Sequence, residues 1–190
     1  VIQVYTDLAN DVNRLNDTLT WIYDRQYPVI TSLPYTEDFE SGTGGWFAYT
    51  NNGNKNWNHG PIPYINGPEG NGSSWYSVSN ANGYNNFWVE SPVFDLSDAT
   101  NPVLSFDYKA NILATQGSNV HVEFTLDGGA TWQTLGDETT PRWYRDFAAW
   151  STHTGFGPSC SGGCWGGVPE WERATQSLCD IAGESCVQFR

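Results

Sequence analysis

Two neighbouring stretches, ESPVFDLSDATNPVLSFDYK (residues 90–109) and VHVEFTLDGGATW (residues 120–132), decide the fold class of this chain. Within the first, Leu104, Phe106 and Tyr108 fall on one face, and Ser105, Asp107 and Lys109 on the other. Within the second, Val120, Val122, Phe124 and Leu126 point one way and His121, Glu123 and Thr125 the other. A period of two is what a strand with one buried face requires. Asp127-Gly128-Gly129 then closes a hairpin, because glycine tolerates the positive φ that such turns demand. Working outward, the same alternation predicts strands over 35–39, 46–50, 74–79, 87–94, 131–135 and 186–190. Residues 170–182 (EWERATQSLCDIA) read either as one short helix or as a strand entered through Trp171. Between these lie two long, irregular, aromatic-rich stretches, 51–71 and 137–185; loops of that length are binding loops or disordered.

Composition agrees with an all-β chain. The 190 residues include 20 Gly, 10 Pro, 10 Trp, 10 Tyr and 9 Phe, with only 15% charged residues. Aromatic residues fill pleated surfaces, while Gly and Pro make the turns between them. A formal net charge of -13 argues against a nucleic-acid partner, since phosphate binding needs Lys and Arg. The same acidity fits carboxylate-rich calcium sites and extracellular life, and solubility alone would also explain it. No apolar run is long enough to span a bilayer, so direct membrane insertion is not expected. No signal peptide is evident, which points to an internal piece of a larger exported protein.

The four cysteines, Cys160, Cys164, Cys179 and Cys186, are expected as oxidised pairs, nearest neighbours closing two short loops. Zinc is the competing reading. The C-x3-C and C-x6-C spacings do not match the usual ribbons or fingers, and none of His59, His121 or His153 is near in sequence.

Three segments are expected along the chain. Residues 1–23 alternate as VIQVY, cross a polar turn and resume as TLTWIY, which is one β-hairpin. A lone hairpin is marginal in water, so it belongs to a sandwich whose other strands precede residue 1. Residues 24–34 carry Pro28 and Pro34 and read as a linker; a second domain occupies 35–190. In the first segment Asp11, Asn13, Asn16, Asp17 and Thr18 resemble the last strands of the Ig-like, CARDB-type spacer domains of bacterial surface proteins.

The second domain carries DFE followed by GW (residues 38–46), then SPVFDLS and PVLSFDY, then VHVEFTLDGGATW, then a final AGESCVQFR. In that order these motifs resemble the MAM-like, choice-of-anchor J and cleaved-adhesin domains of secreted bacterial proteins that use type IX secretion. The resemblance covers roughly residues 33–190. It implies a two-sheet jelly roll with long loops, extracellular, binding structural calcium and contributing adhesion or carbohydrate contact. It also implies a closing strand with an acidic pair, which this sequence does not reach before Arg190. Any calcium site carried over would rest on Asp38 and Glu40 with backbone carbonyls from nearby turns. Asp17-Thr18-Leu19 resembles an O-glycosylation motif of the same bacteria, making Thr18 a candidate carrier. The sequons at Asn16 and Asn71 would matter only in a host that uses them.

Residues 125–132 (TLDGGATW) also match the Asp-box pattern found in sialidase propellers. Propellers repeat the box over several blades and this chain has one, so the reading is a stabilising turn. No HExxH, GxSxG or Walker loop is present, and no carboxylate pair across a cleft stands out, so no catalytic role is expected. Ligand binding rests on loop aromatics among Asn and Gly, since flat rings stack on sugars and amides bond hydroxyls. Trp57, Tyr64 and Trp165 are the candidates for contact, and Trp46, Trp88, Trp132 and Trp171 the candidates for core. The expectation is a non-catalytic adhesion or carbohydrate-binding module of a larger surface protein, its partner a glycan or surface protein. An accessory domain of a secreted peptidase or glycosidase, or a structural stalk or filament segment, are the alternatives.

Overall fold

The computed structural model describes residues 2–5, 18–21, 27–50, 57–61, 72–77, 87–110, 120–137, 139–141, 143–144 and 168–190. They form thirteen strands: β1 (Ile2–Tyr5), β2 (Thr18–Trp21), β3 (Val29–Ile30), β4 (Phe47–Thr50), β5 (Asn58–Pro61), β6 (Ser73–Tyr76), β7 (Phe87–Glu90), β8 (Val93–Phe94), β9 (Val103–Ala110), β10 (Glu123–Thr125), β11 (Gln133–Thr134), β12 (Val168–Ser177) and β13 (Gln188–Phe189). One 3-10 turn, Cys179–Ile181, interrupts them. The chain is all-β, and β1 and β2 form the expected hairpin, with Ile2 opposite Trp21 and Tyr5 opposite Thr18.

Short strands link into one row. β3 runs parallel to β8, β8 meets the chain next to β13 through Phe94 and Val187, and β13, β10 and β11 follow, each antiparallel to the last. Across from this row, β9 and β12 make a long antiparallel ladder with a bulge between Val168 and Glu172. Between the two lies a core of Phe94, Leu96, Leu135, Trp143, Tyr144, Ala174, Leu178, Ile181, Val187 and Phe189. Leu104, Phe106 and Tyr108 of β9 and Val120, Val122, Phe124 and Leu126 around β10 pack against it, as their alternation requires.

Several expectations are corrected. The predicted strand at 87–94 breaks at Ser91-Pro92, because proline has no N–H for the ladder. Ser91 fills the gap. Fully buried, it donates its N–H to Phe189 O at 2.9 Å, and its Oγ receives the Phe189 N–H at 2.9 Å. Of the two readings of residues 170–182 the helix falls and the strand holds as far as Ser177, with Trp171 inside β12; a 3-10 turn follows at Cys179–Ile181. Residues 35–39 are not a strand but an irregular turn, in which Phe39 takes φ 62°, a strained conformation for a bulky residue. Inside the stretch read as a linker, Val29 and Ile30 form β3 and pair with Val93 and Phe94.

Thr125, expected to face outward, is buried. Its hydroxyl donates to Asp127 Oδ1 at 2.6 Å and accepts the Gly129 N–H at 3.0 Å, pinning the hairpin from inside. Asp127 also accepts from Thr131 N at 2.9 Å and Thr131 Oγ1 at 2.6 Å. These bonds, those of the two threonine hydroxyls first, hold its carboxyl down to about 2. The Asp box is a turn here.

Candidate functional site

The β4–β7 pair builds the first part of the site. Phe47 lies opposite Glu90 and Tyr49 opposite Trp88, so alternation places all four on one face. Tyr49 and Trp88 stack, centroids 5.9 Å apart at 12°. Glu90 Oε1 accepts the Trp88 indole N–H at 2.7 Å. Tyr27, just before β3, sets its ring edge-on to Phe47 at 5.3 Å. Its hydroxyl donates to Glu90 Oε2 and shares a 2.5 Å hydrogen bond with Tyr49 Oη. Burial first, then the Glu90 carboxylate, push the Tyr27 phenol far above its ordinary pKa, so it remains a donor.

The second part comes from β10, the hairpin and the chain after β13. Arg190 and Glu123 exchange backbone hydrogen bonds at 2.9 and 2.8 Å, which fixes their side chains side by side. Arg190 Nε donates to Glu123 Oε2 at 2.6 Å, and Glu123 Oε1 lies 3.5 Å from His121 Nε2. The His121 hydrogen bond first, opposed by burial and assisted by Arg190, holds the Glu123 carboxyl below its usual range. The Arg190 guanidinium lies between two indoles, 5.3 Å from the centroid of Trp88 and 4.2 Å from that of Trp132. Trp132 is held by its own indole N–H, which donates to Gly129 O at 3.1 Å. The result is a ladder of four rungs, Tyr49, Trp88, Arg190 and Trp132, with a carboxylate beside each half.

Trp88 and Trp132, expected in the core, are therefore half-buried rungs of this ladder, and Trp46 and Trp171 are half-buried too. The deep core is occupied instead by Trp143 and Tyr144. Trp57 is half-buried at the entry to β5, its ring edge-on to Phe87 at 6.3 Å. Because Phe87 and Trp88 alternate on β7, Trp57 is not brought to the ladder face. Tyr64, Trp165, Cys160 and Cys164 lie outside the described residues, and for Thr18 only its backbone place on β2 is described. The expected Cys179–Cys186 bridge is not closed: both are free thiols, Cys179 exposed and Cys186 half-buried.

Asp38 and Glu40 do not share a strand face. Asp38 Oδ1 accepts the Glu40 N–H at 3.0 Å, and Glu40 Oε1 reaches across to accept Ser73 N at 2.6 Å. Glu40 sits so close over Gly72 that a Cβ there would collide with its Oε1. His59 Nε2 lies 2.9 Å from Phe39 O, tying the strained residue to β5. A hard cation takes six to eight oxygens. Each of these carboxylates gives one oxygen to a backbone N–H, and among the described residues no group of three His, Cys, Asp or Glu side chains gathers. Asp38 and Glu40 supply only the beginning of such a site.

Sequence reasoning missed Tyr27, Tyr49, Glu90, Glu123 and Arg190 as parts of one site. The alternation over 46–50 and 87–94 already placed Phe47 and Tyr49 on one face, and Trp88 and Glu90 on one face. Nothing local marks Arg190, whose carboxylate partner is 67 residues away. Comparison of the chain with protein-family models, curated proteins and solved structures returns no match.

Proposed function

We propose that this chain is a non-catalytic extracellular module, of jelly-roll type, through which a larger secreted or surface-attached bacterial protein binds glycans. The observation that carries the reading is the ladder: half-buried aromatic rings, phenolic hydroxyls and two carboxylates, Glu90 and Glu123, gathered from the β4–β7 pair and from β10, its hairpin and the chain after β13. Ring faces and edges meet the C–H bonds of sugars, and the polar groups beside them meet hydroxyls. Tyr49→Ala is expected to weaken binding on a glycan array about tenfold, the equivalent of roughly 1.4 kcal/mol. Trp57→Ala and Trp165→Ala test the loop aromatics in the same assay. A full glycan array with no bound member would sink the reading.

A structural calcium ion held by Asp38, Glu40 and turn carbonyls is a further part of the proposal. It predicts a melting temperature that falls on chelation and recovers when calcium, not magnesium, is restored. Asp38→Asn should abolish that difference. Identical melting curves with and without chelator would remove calcium from the account.

A further inference from the structure

Eight Lys and Arg residues serve this chain of net charge -13, and two arginines are used in opposite ways. Arg173 on β12 gives Nε and Nη2 to both oxygens of Asp107, at 2.9 and 2.7 Å, a closed fork. Arg190 gives only Nε, at 2.6 Å to Glu123. Among the described residues neither of its Nη groups has a hydrogen-bond partner, and its side chain is 25% exposed. Two indoles and a carboxylate hold the guanidinium in place, so little freedom remains to be lost when a ligand arrives. A guanidinium whose two Nη groups point free is shaped for a planar anion, which it grips through parallel hydrogen bonds.

We propose that Arg190 is the anion-recognising residue of the ladder and that it selects glycans bearing a carboxylate, of the hexuronate or sialate class. This deepens the glycan reading above and rests on it. Glu123 occupies only the Nε edge of the guanidinium, which leaves the edge carrying the two Nη groups for the ligand carboxylate. The molecule's own charge disfavours a polyanionic partner such as a run of acidic residues in a peptide. With Tyr49 and Arg190 over the Trp88 ring and Arg190 over Trp132, the rims of these half-buried indoles are what borders the fork. They form an apolar ledge for the C–H bonds of a pyranose that an extended acidic peptide does not match.

The test titrates the full chain with digalacturonate and sialyllactose, with lactose as the neutral counterpart and tetraglutamate as the acidic peptide. The acidic sugars are expected to bind at least about tenfold more tightly than lactose, and Arg190→Lys to erase most of that preference. Lysine keeps the charge but loses the fork. Arg173→Lys should leave it unchanged. Thermal melts check that Arg190→Lys folds. Independently of any variant, the Arg190 Nε–H resonance of the wild-type chain should shift as digalacturonate is added. Equal binding of acidic and neutral sugars, or an Arg190 signal unmoved at saturation, overturns the proposal and leaves the glycan reading standing. Tight Arg190-dependent binding of tetraglutamate would reassign the fork to a peptide partner and overturn it as well. Binding of none of the sugars here, with neutral glycans still captured on the array, overturns this proposal alone.

Discussion

Trp143→Ala is expected to lower stability by about 3–5 kcal/mol, the range for removing a large aromatic side chain from a packed core. In a chain of this size that is a fall in melting temperature on the order of 10 °C or more. Trp143 is 1% exposed, meets Phe106 edge-on at 5.7 Å and Tyr144 at 5.4 Å. Its indole N–H donates to Leu135 O at 2.8 Å, and the Tyr144 hydroxyl donates to that same carbonyl at 2.8 Å. Trp143→Phe should therefore cost much less than the alanine change, since Leu135 O keeps one donor and most of the apolar volume remains. The site tolerates nothing larger nearby: a Cβ at Gly136, φ +69°, would stand 2.7 Å from the Trp143 indole nitrogen. Equal melting temperatures for wild type and Trp143→Ala would contradict the placement of this residue.

Glu123→Ala is the second large effect, about 2–3 kcal/mol. Breaking a buried ion pair costs more than the pair contributes, because the surviving charge is left without its partner. Here the loss is moderated, since Arg190 keeps some exposure and two indoles. The effect carries a pH signature. Glu123 titrates lower in the folded chain than its ordinary 4.5, so its contribution is complete above that value. It is lost as the pH falls through the folded value. Urea melts of wild type and variant should thus differ most near neutrality and converge below about pH 4.5. A gap that stays constant down to pH 3 would show that the charge of Glu123 contributes nothing.

Much of the β architecture was legible because its signal is local. The alternation over residues 103–110 matches β9 residue for residue, and the Asp-Gly-Gly turn sits where glycine's positive φ is needed, at 71° and 90°. Trp143 and Tyr144 were not legible as core. They sit in an aperiodic stretch, so burial there is decided by what packs over them and not by any repeat. Thr125 misled in the opposite direction: its alternation says outward, but its hydroxyl is satisfied inside the hairpin, which makes burial affordable. The DFE turn looked like a strand because its residues alternate, while the strained φ of Phe39 comes from contacts with β5 and β6 that are distant in sequence. For the ladder, half of each pairing was readable on its own strand. The joining of the halves depends on Arg190 lying across from Glu123, which is a property of the fold.

The row of short strands has a mechanical consequence. β3 runs parallel to β8 and β13 runs antiparallel to it, so the chain enters β3 and leaves β13 at the same end of β8. Tension between those two points would peel the strands apart one hydrogen bond at a time, instead of shearing the whole set together. Resistance to pulling then falls to the side chains that bridge that end: Tyr27 clamped to Glu90, and Arg190 wedged between two indoles. A ligand seated on Arg190 would sit on the rivet that opens first under load.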